Sequence, residues 1–185
     1  MDEISKRRKW RRWLGVIEAE VSRLLNERRV YRDVRDRLVD NPEWVAWLDH
    51  LYLVGVSLAI RRLADANPRH RTISLVKLLQ DMEIHAECLS RRSALRSADM
   101  AQREEVNRLF ARLAGEGALH IPKTVIRQWL EDFDNLATPF RRWVDHRIAH
   151  HDLSVDCPPP EHHQAEQILD ALNDMVKMLK LLLGA

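Results

Sequence analysis

A short segment in the last third of the chain concentrates side chains that exchange protons or bind negative charge. Residues 141–152 read RRWVDHRIAHHD. His146 and His150 are four residues apart, as are Arg147 and His151, so each pair lies about 40° apart round an α-helix and shares a face. Histidine exchanges protons near neutral pH, and arginine binds phosphate. Together they suit phosphodiester cleavage, in which a histidine deprotonates a ribose 2′-hydroxyl and an arginine stabilises the transition-state charge.

The same segment also has a purely structural interpretation. The C-terminal end of an α-helix carries partial negative charge, so arginine and histidine side chains stabilise it without any further role. Spacing alone leaves both interpretations open.

Metal binding is a third interpretation of the histidine-rich region. Five of the nine histidines fall between His146 and His163. A proline-rich connector, around residues 157–160, separates the first three candidate ligands from the last two. If it folded back, the ligands could be His150, His151, Asp152, His162 and His163. Their spacing matches no closed zinc pattern, neither Cys88 nor Cys157 has a CxxC partner, and HExxH is absent. We therefore expect no metal and no other cofactor.

A second basic run lies near the N-terminus. Residues 6–13 read KRRKWRRW, which mixes six basic side chains with two indoles. Such a run could bind a phosphate backbone or stack on bases. However, Trp10 and Trp13 fit an apolar helical stripe, which favours core tryptophans beside a solvated basic face.

Composition and periodicity predict an all-α bundle of four or more helices, formed by residues 1–185 as a single domain. Of the 185 residues, 45% are hydrophobic and 31% charged, with only five glycines and no sustained strand alternation. The net charge of +2 gives no strong field and no evident preference for DNA. Two cysteines and the absence of a long apolar run predict a cytoplasmic protein without a membrane anchor.

The apolar spacing places the individual helices. It predicts a first helix that extends to Asp40 and ends before Asn41-Pro42, and a last helix over Glu161–Leu183. Thr138-Pro139 is predicted to start a separate helix that carries the histidine-rich segment.

The second predicted helix covers residues 43–64 and is apolar nearly all round, so we expect it to lie centrally in the bundle. Its inward side chains are predicted to be Trp44, Trp47, Leu48, Leu51, Leu58 and Leu63. Arg61 and Asp65, four residues apart at its end, are predicted to pair.

Two stretches carry a resemblance to a known family. Residues 59–79, AIRRLADANPRHRTISLVKLL, and residues 144–152, VDHRIAHHD, resemble two segments of the abortive-infection, AbiU-type branch of the HEPN superfamily. The resemblance implies a HEPN-like helical bundle that forms a homodimer with RNA as its partner. It also implies a role in antiphage defence or in a toxin–antitoxin pair, where an antitoxin or regulatory protein is a further partner.

Active members of this family are metal-independent RNases whose site forms where two copies meet. By resemblance, His150 matches the motif histidine and Asp145 the polar position after the motif arginine. The arginine position itself holds Val144, which cannot bind phosphate. Arg147 and Arg142 are the replacements nearest to it.

Two functions follow from this departure. One is RNA cleavage by His150, with His146 and His151 beside it. The other is a degenerate helical module that binds RNA or protein without cleavage.

Overall fold

The computed structural model describes residues 2–150 and 154–185, and within these ranges it is a helical bundle without strands. Its α-helices are α1 (Glu3–Arg37), α2 (Pro42–Leu63), α3 (Leu75–Ile84), α4 (Arg91–Ser97), α5 (Gln102–Ala114), α6 (Lys123–Trp143) and α7 (His162–Leu183). A 3-10 turn, Ala86–Cys88, precedes α4, and a π-helical segment, Val144–Ile148, continues α6. No helix in the described ranges combines the length and apolarity that crossing a membrane requires.

Helix α1 follows the predicted apolar stripe closely. The Asp2 side chain caps its start by accepting from the Ser5 amide at 2.8 Å. The stripe is buried along the helix through Trp10, Leu14, Ile17, Val21 and Leu24. The helix ends at Arg37, three residues before the predicted end, and α2 begins at Pro42. Along its length α1 packs against α7, α2 and α3.

The basic run of residues 6–13 is largely structural. Lys6 and Lys9 pair with Asp81 of α3 at 3.2 and 3.1 Å, and the Trp10 indole donates to the same carboxylate at 2.7 Å. Arg7 is buried and donates to the carbonyl oxygens of Cys88, Leu182 and Leu183. Trp10 is fully buried, which confirms the core interpretation of this indole.

Helix α2 has the predicted position in sequence, but the prediction of its inward face was wrong. Trp44, Trp47, Leu51 and Leu58 are exposed, and Leu48 is half-buried; only Leu63 of the predicted set is in the core. The buried face is instead formed by Tyr52, Leu53, Val56, Ser57, Ala59, Ile60 and Leu63. A helix that is apolar on both sides does not reveal from its pattern which side faces the core.

The prediction of a new helix at Thr138-Pro139 was also wrong, because α6 runs through both residues. Phe133, Ala137 and Phe140 are buried on one side of it, against α2 and α3. These buried residues lie both before and after Pro139 in sequence, so the stability gained by burying them outweighs the loss of the backbone hydrogen bond that proline removes. The Thr138 hydroxyl donates to the Asp134 carbonyl at 2.7 Å just before the proline.

The last helix confirms its prediction. Helix α7 begins at His162, after the proline-rich connector, and Glu161 forms a reciprocal capping arrangement with Gln164. Its apolar face, which includes Ile168, Leu172 and Leu179, is buried against α1 and α6. Helix α6 thus packs against both α7 and α2.

Candidate functional site

The histidine-rich segment is buried at Trp143 and Val144 and exposed at Ala149 and His150. Beyond Trp143 the helix widens into the π-helical segment, closed by a hydrogen bond from the Ala149 amide to the Val144 carbonyl at 2.8 Å. Val144, the residue at the position where the HEPN resemblance expects an arginine, is only 2% exposed and faces the core. Short π-helical segments often mark functional positions in helices.

Asp145, the next residue, is tied to α2. The Nε of Arg61 donates to its Oδ1 at 2.5 Å, and both side chains are about half exposed. This contact replaces the predicted pair of Arg61 with Asp65. The ion pair holds the start of the π-helical segment against the C-terminal end of α2.

Asp65 has a different set of partners, at the start of the loop before α3. It accepts hydrogen bonds from the Thr72 hydroxyl, the Asn67 amide and the Lys77 ammonium group. Burial raises the pKa of Asp65, but these hydrogen bonds outweigh it and hold the pKa well below its ordinary value. Asp65 therefore stabilises this loop and does not contact Arg61.

Arg147 lies beside an open cavity. Its Nη2 donates to the Val155 carbonyl of the connector at 3.1 Å, and its side chain is half-buried. Among the described residues this is the one hydrogen bond of its guanidinium, which has five N–H donors. Arg147 is thus a partly fixed cation on the wall of a cavity.

The cavity has a volume of about 640 Å³ and lies between α2, the end of α6 and the connector. His50 and Val54 line it from α2, and Trp143 and Arg147 line it from the α6 end. The His50 imidazole meets the Trp143 ring edge-on, with centroids 6.1 Å apart. Asp156 adds a carboxylate from the connector. The cavity therefore combines a cation, an imidazole and a carboxylate, which are groups that bind phosphate and transfer protons.

His50 is the site residue that the sequence reasoning missed. It stands beside Asp49 in the middle of an otherwise apolar helix. A polar pair that interrupts an apolar helix was the available signal, but nothing in the sequence connects it to residues almost a hundred positions later.

Among the described residues, the other predicted site residues are not part of this cavity's lining. His150 is exposed just beyond the π-helical segment, and Arg142 is exposed on the last turn of α6. His146 is half-buried and interacts with a neighbouring residue. His151 lies outside the described residues, as does Asp152. The structure thus brings Arg147 together with His50 rather than with His150.

The two candidate metal ligands at the start of α7, His162 and His163, contact different residues. His162 stacks on Tyr31, with centroids 5.7 Å apart, and His163 pairs with Glu161 at 3.0 Å. In the part of the chain that the structure describes, no three His, Cys, Asp or Glu side chains are grouped so that they could hold a metal ion.

Comparison of the chain with family models, curated proteins and solved structures gives no match.

Proposed function

We propose that this protein is a HEPN-type RNA-binding protein that acts in antiphage defence or as the toxin of a toxin–antitoxin pair. The observation that carries the proposal is the position of Arg147, half-buried on the wall of an open cavity beside His50. A guanidinium held in this way binds a phosphate group with a smaller loss of side-chain freedom than a fully exposed arginine. Arg142 and His150, exposed at the same end of α6, extend this surface toward further phosphates.

The direct test measures binding of a fluorescent single-stranded RNA to wild-type protein and to Arg147→Ala by anisotropy at several salt concentrations. Loss of one charge-assisted phosphate contact should weaken binding at least about tenfold and reduce the salt dependence by about one ion. Arg112→Ala removes an exposed arginine from α5, away from the cavity, and is the matched control. Equal affinities of the two variants would overturn the proposal.

RNA cleavage is the second candidate function, and the cavity supports it. His50 and Asp156 line the same cavity as Arg147 and supply two groups that can transfer protons near a phosphate-binding cation. The resemblance instead assigns the acid–base role to His150. Cleavage assays with a chelator present distinguish the two, because His50→Ala and His150→Ala should differ in activity. If all three proteins are equally active, or all inactive, the catalytic proposal fails.

The buried position of Val144 favours binding without cleavage. A side chain at this position lies in the core, so it cannot hold a cation toward solvent. A degenerate module that binds without catalysis is therefore favoured over the nuclease, and RNA binding without turnover is the result that identifies it.

A further inference from the structure

The outer face of α2 carries an apolar stripe that nothing in the described chain covers. It contains Trp44, Trp47, Leu51 and Leu58, which are 55, 54, 45 and 36% exposed, with half-buried Leu48, Val54 and Gly55 between them. We call these seven residues the α2 stripe. Large exposed apolar patches on a folded chain mark interaction sites.

We propose that the α2 stripe binds the α2 stripe of a second copy of this chain, with the two helices antiparallel and the two-fold axis at Leu51. Identical copies most often pair through such a shared patch, in which each residue meets the symmetry-related position on its partner. This inference deepens the homodimer that the proposed function includes, by naming the surface that joins the copies.

The spacing of the stripe is symmetric about Leu51. Trp44 and Leu58 each lie seven residues from it, Trp47 and Gly55 four, and Leu48 and Val54 three. In an antiparallel pair centred on Leu51, these are the residues that face each other across the axis. Every apolar position of the stripe then meets another position of the same stripe.

The sizes of the facing residues are complementary at one pair. Trp47 stands opposite Gly55, where a Cβ atom would meet nothing within 4 Å in its own chain. Glycine destabilises a helix interior relative to alanine, and its own fold gives no packing reason for it here. A partner indole that occupies this space supplies such a reason.

Gly55 also borders a groove that the indole would enter. The groove lies between α1 and α2, has a volume of about 410 Å³, and is lined in part by Val30, Leu51 and Tyr52. The partner's tryptophan suits the apolar wall that Val30 and Leu51 give this groove.

Charge follows the same symmetry. The exposed acidic residues Asp40 and Glu43 lie near the start of α2, and the exposed basic residues Arg61 and Arg62 lie at its end. Within the chain, Arg61 pairs with Asp145 and Arg62 with Glu20. An antiparallel pair places each acidic end beside the partner's basic end, whereas a parallel pair opposes like charges.

The first experiment measures the oligomeric state by light scattering and sedimentation over a range of protein concentrations. Wild type should be a dimer, and Gly55→Leu should raise the dissociation constant at least about 30-fold while its melting temperature stays equal or rises. Trp47→Ala should weaken the dimer to a similar degree. A wild-type monomer, or two variants as dimeric as wild type, would overturn the inference.

Disulfide cross-linking tests the geometry. Leu51→Cys lies on the proposed axis and should form a disulfide with the same position of the second copy under mild oxidation. A disulfide requires Cα atoms about 6 Å apart, and the axis brings the two copies of this residue together. Leu58→Cys is the matched control, since the two copies would be separated by about 20 Å along the helices and should not cross-link. Equal cross-linking of both variants indicates a parallel pair and overturns the antiparallel arrangement. RNA binding by monomeric variants is measured separately, so failure of the interface and failure of the proposed function are distinguishable.

Discussion

The Nε of Arg61 lies 2.5 Å from Oδ1 of Asp145, and this pair joins the end of α2 to the beginning of the π-helical segment. Because both side chains are about half exposed, the pair contributes little to stability. Its larger effect is on charge, since Asp145 neutralises an arginine at the edge of the candidate site. A change at Asp145 therefore tests stability and ligand binding at this end of α6 as two separate effects.

Asp145→Asn should lower the free energy of unfolding by less than about 1 kcal/mol, as expected for an exposed ion pair. The same change should strengthen RNA binding a few-fold, because Arg61 is released and a negative charge is removed. Urea unfolding and anisotropy measure the two effects. Asp174→Asn on α7 controls for the change in net charge, and equal strengthening by both variants would contradict a local effect.

Val144→Arg places an arginine where the HEPN resemblance expects one, but we expect it to unfold the protein rather than activate it. Val144 is 2% exposed, so an arginine here buries an unpaired charge at a cost of more than about 3 kcal/mol. Ala149→Arg introduces the same side chain at an exposed position nearby and should change stability by about 0.5 kcal/mol at most. Urea unfolding measures both. A stable Val144→Arg protein that cleaves RNA would refute this prediction.

Asp81 makes stability depend on acid pH. Burial raises the pKa of Asp81, but hydrogen bonds from Trp10, Lys9 and Lys6 outweigh it, so its pKa is lowered in the fold. A lowered folded-state pKa stabilises the protein above the unfolded value, about 3.9, and this stabilisation is lost as pH falls through the folded-state pKa.

Asp81→Asn should therefore destabilise the protein by about 1–3 kcal/mol at neutral pH. The difference between wild type and variant should shrink as the pH falls below about 4. Chemical denaturation at several pH values measures this difference, with Asp132→Asn on the exposed side of α6 as control. A difference that stays constant with pH would rule out the ionised carboxylate as its source.

Arg7 stabilises the end of α7 from inside the protein. Its guanidinium donates to the carbonyl oxygens of Leu182 and Leu183 at 3.0 Å each, and burial lowers its pKa to about 10. Arg7→Met leaves these acceptors without their donor and should cost about 2–4 kcal/mol. Arg8→Met changes an exposed neighbour and should have little effect in the same unfolding assay. Equal losses would indicate a general effect of charge.

The helices could be predicted from the sequence where one face alone is apolar. In α1 the stripe from Trp10 to Leu24 points to a single side, and the structure buries that side. In α2 the prediction of the buried side was wrong, because Leu51 and Leu53 are both apolar and lie on opposite sides of the helix. Only the packing of the other helices decides which of the two is covered.

The site was predictable in its segment but not in its composition. Spacing grouped Arg147 with His150 and His151 on an α-helix, whereas the helix there is π-helical and ends before His150. The imidazole that lines the same cavity as Arg147 is that of His50, from a helix nearly a hundred residues earlier. Contacts at that separation depend on tertiary packing, which residue spacing does not encode.

Val54 belongs to both the α2 stripe and the cavity that contains Arg147. Under the proposed pairing, the partner helix contacts one side of this residue while the ligand occupies the other. Assembly and ligand binding are then thermodynamically linked: a ligand that prefers the paired cavity tightens the dimer, and pairing raises affinity for that ligand by the same factor. The abundance of the chain in a cell would then set how strongly it holds RNA.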